Sequence, residues 1–162
     1  MEKTEREFRY LSDCPEHIDL LTAWLNAAFD ISHDAEAFAR RRERLVSYAR
    51  SADIPFTRVL LEDGVPIGTC SLLAHDLFGF EERYPLTPWV ASLYVVPERR
   101  GLGLGDSILD DTLAIARERG FPSIYLWAED ALVPYYRERG WNVIESLIYR
   151  KKTATIMEKT LP

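Results

Sequence analysis

Apolar residues in this chain change their spacing from segment to segment, and the spacing predicts the elements. Behind Pro15-Glu16, Ile18, Leu21, Leu25 and Ala28 recur at helical intervals, which predicts a helix over about 16–29. Phe38, Leu45 and Tyr48 mark a second helix over about 35–48, with a narrow apolar face among many arginines that suits a surface position. Residues 8–11 form a short strand, closed by Ser12-Asp13. Residues 57–62 and 66–74 are runs of strand formers joined by Asp63-Gly64, a hairpin signal that predicts antiparallel pairing. Residues 90–96 are apolar on both faces apart from Ser92 and Tyr94, as expected near the middle of a sheet.

A further helix follows the glycines at 101–105, with Ile108, Leu109, Thr112, Leu113 and Ala116 on its buried face. Asp106, Asp110 and Asp111 in its early turns, Arg117 and Arg119 in its last and Gly120 beyond complement the helix dipole. Residues 123–127 then return as a strand beside 90–96, and a right-handed crossover makes that pair parallel. A short helix over about 132–139 and a closing hairpin from 141–149 and 155–159 complete the chain. The order describes an α/β (α+β) fold, a mixed central sheet with flanking helices. The one long loop runs over about 76–88.

Length and composition add bounds. A chain of 162 residues with 47% hydrophobic content supports one core, so 1–162 is expected to be a single domain. A net charge of -6 gives no reason to expect nucleic acid, and the basic runs at 40–44 and 150–152 read as solvated faces. Cys14 and Cys70 lack metal-ligand or disulfide spacing, which points to reduced thiols, no metal and a cytoplasmic setting. The N-terminus is charged rather than apolar, and no apolar run approaches a membrane span, so a soluble protein is expected.

The candidate chemistry lies in Arg99-Arg100-Gly101-Leu102-Gly103-Leu104-Gly105, between a buried strand and an amphipathic helix. Glycines at alternate positions remove the Cβ atoms that would keep a ligand from the backbone and permit positive φ angles that turn N–H groups inward. The helix N-terminus favours an anion at the same spot, and Arg99 and Arg100 add charge-assisted donors. A pyrophosphate is the expected ligand, with a plain strand-to-helix turn as the bland alternative. A Walker A loop needs Lys and Ser or Thr after its last glycine, and here Asp106-Ser107 follows. The dinucleotide fingerprint is nearer, with Glu129 past the next strand as a ribose-binding acid. However, Asp106 takes its third glycine position, and two helices and a hairpin come first.

The pattern Arg/Gln-x-x-Gly-x-Gly is met by Arg100 to Gly105, and at this point the sequence resembles the GNAT superfamily of acyl-CoA-dependent N-acetyltransferases. Residues 88–97 look like that family's fourth strand, Tyr135-Tyr136-Arg137-Glu138-Arg139-Gly140-Trp141 like its Leu-Tyr-Glu-x-x-Gly-Phe segment, and Thr155-Ile156-Met157 like its last strand. The resemblance implies a single-domain acyl-CoA N-acyltransferase fold with a splayed parallel strand pair. It implies acetyl-CoA as cosubstrate, its pyrophosphate held by backbone N–H groups of Arg100, Gly101, Leu102, Gly103, Leu104, Gly105 and Asp106. It also implies a bulged fourth strand whose Leu93, Tyr94 and Val95 bond the pantetheine amides and polarise the thioester carbonyl.

On the same resemblance Tyr136 protonates the departing thiolate. A phenol is only slightly weaker an acid than a thiol, so that donation is mildly uphill. An alkylamine is almost wholly protonated at neutral pH, so attack needs a proton acceptor. His75 and Asp76 at the end of the third strand are the candidates, with Glu81, Glu82 or a water held by Ser92 as others. The family's cofactor-contacting Asn, seven residues before the tyrosine, is here Glu129, and Pro134 interrupts the same region. The acceptor groove implied by the fold would include Trp24, Phe29, His33, Phe38 and the 149–153 turn, and its occupant is a small-molecule or peptide amine. A homodimer is one assembly such a domain could form. The rival is a catalytically silent acyl-CoA-binding module on the same fold.

Overall fold

Asp63-Gly64 closes the first hairpin of the chain. Asp63 and Gly64 both take left-handed backbone (φ 49 and 81), as a type of turn matched to strand twist requires. The structure, a computed structural model, describes residues 2–80 and 85–162. Its strands are β1 (Arg6–Tyr10), β2 (Phe56–Glu62), β3 (Val65–Leu73), β4 (Trp89–Val95), β5 (Ser123–Ala128), β6 (Asn142–Tyr149) and β7 (Lys152–Thr160). Its helices are α1 (Ile18–Phe29), α2 (Ala35–Ser47), α3 (Leu104–Glu118) and α4 (Val133–Glu138). The strands form one seven-stranded sheet in the order β1-β2-β3-β4-β5-β7-β6. The expected mixed α/β architecture is therefore present. The chain folds into two compact units, Met1–Leu72 with Ser92–Thr112, and Leu73–Ala91 with Leu113–Pro162.

In the first unit, β1 pairs antiparallel with β2 from Arg6↔Glu62 to Tyr10↔Arg58, and β2 with β3 from Phe56↔Leu72 to Glu62↔Val65. α1 covers this part of the sheet: Leu11, Ile18, Leu21, Leu25 and Leu45 pack with Val59 and Leu61, and Trp24 joins at the edge. Ala28, expected on the buried face of α1, is exposed, whereas Thr22 and Asn26 are buried. The polar pair is accommodated because both side chains are satisfied locally. Thr22 donates to the Ile18 carbonyl (2.7 Å), and Asn26 Nδ2 donates to Asp30 (3.0 Å) and to the Ser32 carbonyl (3.2 Å).

The basic run at 40–44 is not uniformly a solvated face. Arg41 is buried and gives Nη2 and Nε to the two oxygens of Asp30 at 2.6 and 3.1 Å. Burial pushes the Asp30 carboxyl up, but the hydrogen bonds from Arg41 and Asn26 and the charges of Arg41 and Arg44 outweigh it and hold the carboxyl below its ordinary range. This network ties the end of α1 to the middle of α2.

In the second unit, the parallel pair required by the crossover is β4 with β5, in register Trp89↔Tyr125. β5 pairs antiparallel with β7 from Ser123↔Thr160 to Ala128↔Thr155, and β7 with β6. The closing hairpin turns on Arg150 and Lys151, both left-handed (φ 51 and 67) without a glycine. Alternation along β5 buries Ile124, Leu126 and Ala128. No helix among the described residues is long and apolar enough to cross a membrane.

Candidate functional site

β4 does not keep a regular pleat. Trp89 and Val90 are buried, then Ala91 to Val95 are all half-buried, and within that stretch Ser92 has left-handed backbone (φ 56). A non-glycine residue in that region inside a strand is uncommon and marks a bulge-like irregularity. It lies immediately before Leu93, Tyr94 and Val95, the residues expected to meet a pantetheine arm. Tyr94 stacks on Trp24 of α1 at 5.5 Å between ring centroids. The Val95 carbonyl accepts a bond from Arg100 Nε (2.9 Å), and the Arg100 guanidinium lies 5.3 Å from the Tyr94 ring centroid.

After β4 a single 3₁₀ turn over Pro97–Arg99 leads into the glycines. Gly101 and Gly103 are left-handed (φ 77 and 76), and a Cβ built on either would meet no atom within 4 Å. Their faces are therefore open: among the described residues, the adjacent ones in the chain aside, no side chain uses the space. Ser107 N–H makes the first intrahelical bond, to the Gly103 carbonyl (3.1 Å), so the amides of Leu104 and Gly105 precede the hydrogen-bonded part of α3. Leu102 is 62% exposed, whereas Leu104 is buried. Unobstructed backbone at the positive end of a fifteen-residue helix is an environment that favours a negative charge. Leu93, Tyr94, Val95 and the stretch Arg99 to Asp106 all belong to the first unit.

α3 is fixed to the sheet by contacts that reading the sequence missed. A Cβ on Gly68 of β3 would collide with Ile108 Cδ1 and stand 3.0 Å from the Tyr94 carbonyl oxygen, so Gly68 lets α3 and β4 approach. A glycine inside a strand pattern is the available signal for such an approach. Asp111, read as a dipole-complementing charge, forms a two-bond ion pair with Arg58 of β2 at 2.7 and 3.0 Å. Arg99, expected to supply a donor to the ligand, places Nε and Nη2 on Oε1 of Glu62, each at 2.8 Å. No local pattern in the sequence announces either pair.

The catalytic candidates lie in the second unit. Tyr136, in α4, is 8% exposed and packs edge-to-face on Tyr135 (5.1 Å) and Trp141 (5.9 Å). Its neighbour Tyr135 is half-buried beneath the Arg139 guanidinium, 3.4 Å from the ring centroid. His75 is exposed and Asp76 half-buried, just beyond the end of β3. Glu81 and Glu82 lie outside the described residues. Glu129, at the position of the family's Asn, is half exposed and pairs with Lys152 (3.1 Å). With Asp130, Ala131, Lys152 and Thr153 it lines a cavity of about 280 Å³. Pro134 falls in the first turn of α4, where its missing N–H costs nothing. Among the described residues no group of three or more His, Cys, Asp or Glu is placed to hold a metal ion.

The model of the acetyltransferase (GNAT) family matches residues 18–141. Solved structures share the fold. An aminoglycoside 6'-acetyltransferase type Ii aligns over 96% of this chain and 97% of its own, with 16% identity and a TM-score of 0.73. An acyl-CoA N-acyltransferase from Pseudomonas aeruginosa aligns over 98% and 100%, with 16% identity and a TM-score of 0.69. An aminoglycoside 6'-N-acetyltransferase complexed with coenzyme A aligns over 99% and 98%, with 13% identity and a TM-score of 0.71. No curated protein matches the chain.

Proposed function

Because the chain belongs to the acetyltransferase (GNAT) family, we propose that it transfers the acetyl group of acetyl-CoA to a primary amine of a small molecule or peptide within a ternary complex. In this reading the two compact units work as one acetyltransferase domain, in a cytoplasm that keeps the buried Cys14 and Cys70 thiols reduced. One observation carries it: two left-handed glycines, Gly101 and Gly103, open their bare faces at the start of α3. A pyrophosphate fits that cradle because backbone N–H groups and the helix dipole favour an anion and no Cβ obstructs its approach.

When bound, acetyl-CoA supplies an acyl group activated as a thioester. Backbone N–H groups from Arg100 to Asp106 bind its pyrophosphate, and the Arg100 side chain, already braced on Val95, adds positive charge. The backbone of Leu93, Tyr94 and Val95 orients the pantetheine arm, with the Ser92 irregularity freeing groups that a regular ladder would consume. As the amine nitrogen bonds to the acyl carbon and the carbon–sulfur bond breaks, Tyr136 gives its phenolic proton to the leaving sulfur. Exclusion of water around this buried side chain favours the step by raising the proton affinity of a thiolate. The proton shed by the amine goes to His75 or Asp76, directly or through water.

Thermal unfolding with increasing acetyl-CoA tests the cofactor half. At about a hundredfold excess over the dissociation constant, mass action adds ~2.7 kcal/mol, and no shift at millimolar ligand would refute the reading. Release of free thiol is then followed with polyamines, aminoglycosides, amino acids and peptide N-termini. Amine-dependent release is expected. Binding without it would favour the silent acyl-CoA-binding module, a reading supported by Glu129 standing in place of the family's Asn and tied to Lys152.

A further inference from the structure

Glu62 ends β2 and is surrounded by arginine. Its side chain is 10% exposed, while those of Arg99 and Arg6 are 40% and 43% exposed. Each carboxylate oxygen serves one guanidinium: Oε1 accepts from Arg99, and Oε2 accepts from Arg6 Nε and Nη2, both at 3.0 Å. The Arg99 hydrogen bond offsets partial burial and, with Arg6, holds the Glu62 carboxyl below its ordinary range. Glu62 is itself fixed by its place in the ladder, opposite Arg6 in β1 and Val65 in β3. The backbone between β4 and Arg99 is moored separately, by the Val96 N–H on the Ile67 carbonyl (2.9 Å).

We propose that Glu62 is a positioning residue for cofactor binding: through Arg99 it clamps the entrance of the Gly101–Gly103 loop to the β2–β3 hairpin, so that the loop is ordered before the pyrophosphate arrives. The proposal rests on the loop being the pyrophosphate cradle. Its physical basis is the freedom of the loop. Left-handed glycines lose more conformational entropy on ordering than other residues, and an anchor immediately before them removes part of that cost from binding. Arg99 is thereby assigned to holding the loop, since the guanidinium edge carrying Nε and Nη2 is occupied by Glu62.

Charge and positioning predict opposite signs. Neutralising Glu62 adds one net positive charge beside an anion site, so electrostatics alone would tighten CoA binding. Loss of the clamp would weaken it. The experiment is a double-mutant cycle on the full chain, with CoA affinity measured by calorimetry for wild type, Glu62→Gln, Arg99→Gln and the pair, and ligand-free thermal midpoints recorded alongside. Glu62→Gln and Arg99→Gln are each expected to weaken CoA about threefold to tenfold, the pair to weaken it no more than either, and Arg99→Lys to fall between.

Tighter or unchanged binding in Glu62→Gln with weaker binding in Arg99→Gln would make Arg99 a direct phosphate ligand and overturn the proposal. Unchanged affinity in both variants would overturn it as well. If Glu62→Gln fails to fold, Glu62→Asp, which keeps the charge and shortens the reach to Arg99, takes its place: unchanged affinity there with weaker binding in Arg99→Gln refutes the clamp. Wild-type protein that does not bind CoA at all would refute the cofactor reading and the clamp with it, whereas the other failures leave the cofactor reading standing.

Discussion

Asp111→Asn removes one charge from the pair that fixes α3 to β2. Arg58 and Asp111 are 11% and 17% exposed, and their two hydrogen bonds, at 2.7 and 3.0 Å, consume most of the carboxylate. Breaking a fully buried pair at one partner costs about 3–5 kcal/mol, because a charge is left without compensation. Three features lower the figure here. The asparagine oxygen can still accept one bond, the site admits some water, and the Arg58 guanidinium keeps its place 4.3 Å above the Tyr10 ring, worth about 0.5–1 kcal/mol. The expected loss is therefore about 2 kcal/mol, or roughly 4–8 °C in midpoint for a chain of 162 residues.

The companion variant, Arg58→Met with Asp111→Leu, removes both charges and fills similar volume. It is expected to lie within ~1 kcal/mol of wild type, because the desolvation cost disappears with the attraction. Urea unfolding followed by circular dichroism measures wild type, the single variant and the double variant. A loss below about 0.5 kcal/mol for Asp111→Asn, or a double variant no more stable than the single, would refute the reasoning.

Gly103→Val is expected to abolish the acetyl-CoA thermal shift, since the new side chain fills the cradle, while the left-handed φ of 76 lowers ligand-free stability by only about 1–2 kcal/mol. Retained affinity would remove the loop from phosphate binding. Tyr136→Phe is expected to lower kcat by about 10²- to 10⁴-fold with acetyl-CoA affinity nearly intact, and unchanged turnover would exclude Tyr136 as the acid. Asp30 carries the pH prediction. Its folded pKa lies below the ordinary value of 3.8, so the stability it supplies is fully present above that value and drains as pH falls through the folded pKa. The gap in midpoint between wild type and Asp30→Asn should therefore be widest near neutral pH and shrink below pH ~4, and a gap independent of pH would contradict the assignment.

The fold was readable because its signals are local. Asp63-Gly64 between two strand-forming runs, the helical spacing of Ile18, Leu21 and Leu25, and the breakers around residues 123–127 each specify an element from a few neighbours, and the elements appear within two or three residues of the expected bounds. The exception within an element is instructive. The arginines at 40–44 read alike, and only the docking of α2 beside Asp30 selects Arg41 for burial. The same holds for Arg58 with Asp111 and Arg99 with Glu62, separated by 53 and 37 residues. Asp111, on the middle of α3, and Arg99, beside the glycines, read locally as a helix charge and a ligand donor respectively, so nothing in the sequence requires a distant partner. Register and helix docking supply one.

The glycine loop shows how the two kinds of information combine at a site. What the sequence displays there is absence: no Cβ at Gly101 or Gly103, hence backbone that can turn its N–H groups toward an anion. Absence also means freedom, and a free loop binds weakly because it must be ordered at the moment of binding. The structure shows what limits that freedom. On the upstream side Arg99 is held by Glu62 and Arg100 by the Val95 carbonyl. On the downstream side the Gly103 carbonyl accepts from both the N–H and the hydroxyl of Ser107, at 3.1 and 3.2 Å. Only Gly101 and Leu102 lie between these moorings, so the positions where glycine is needed for conformation are those whose ends the rest of the unit has fixed. On the proposed reading, the loop uses bare backbone as its recognition surface because side chains outside it keep that backbone in place.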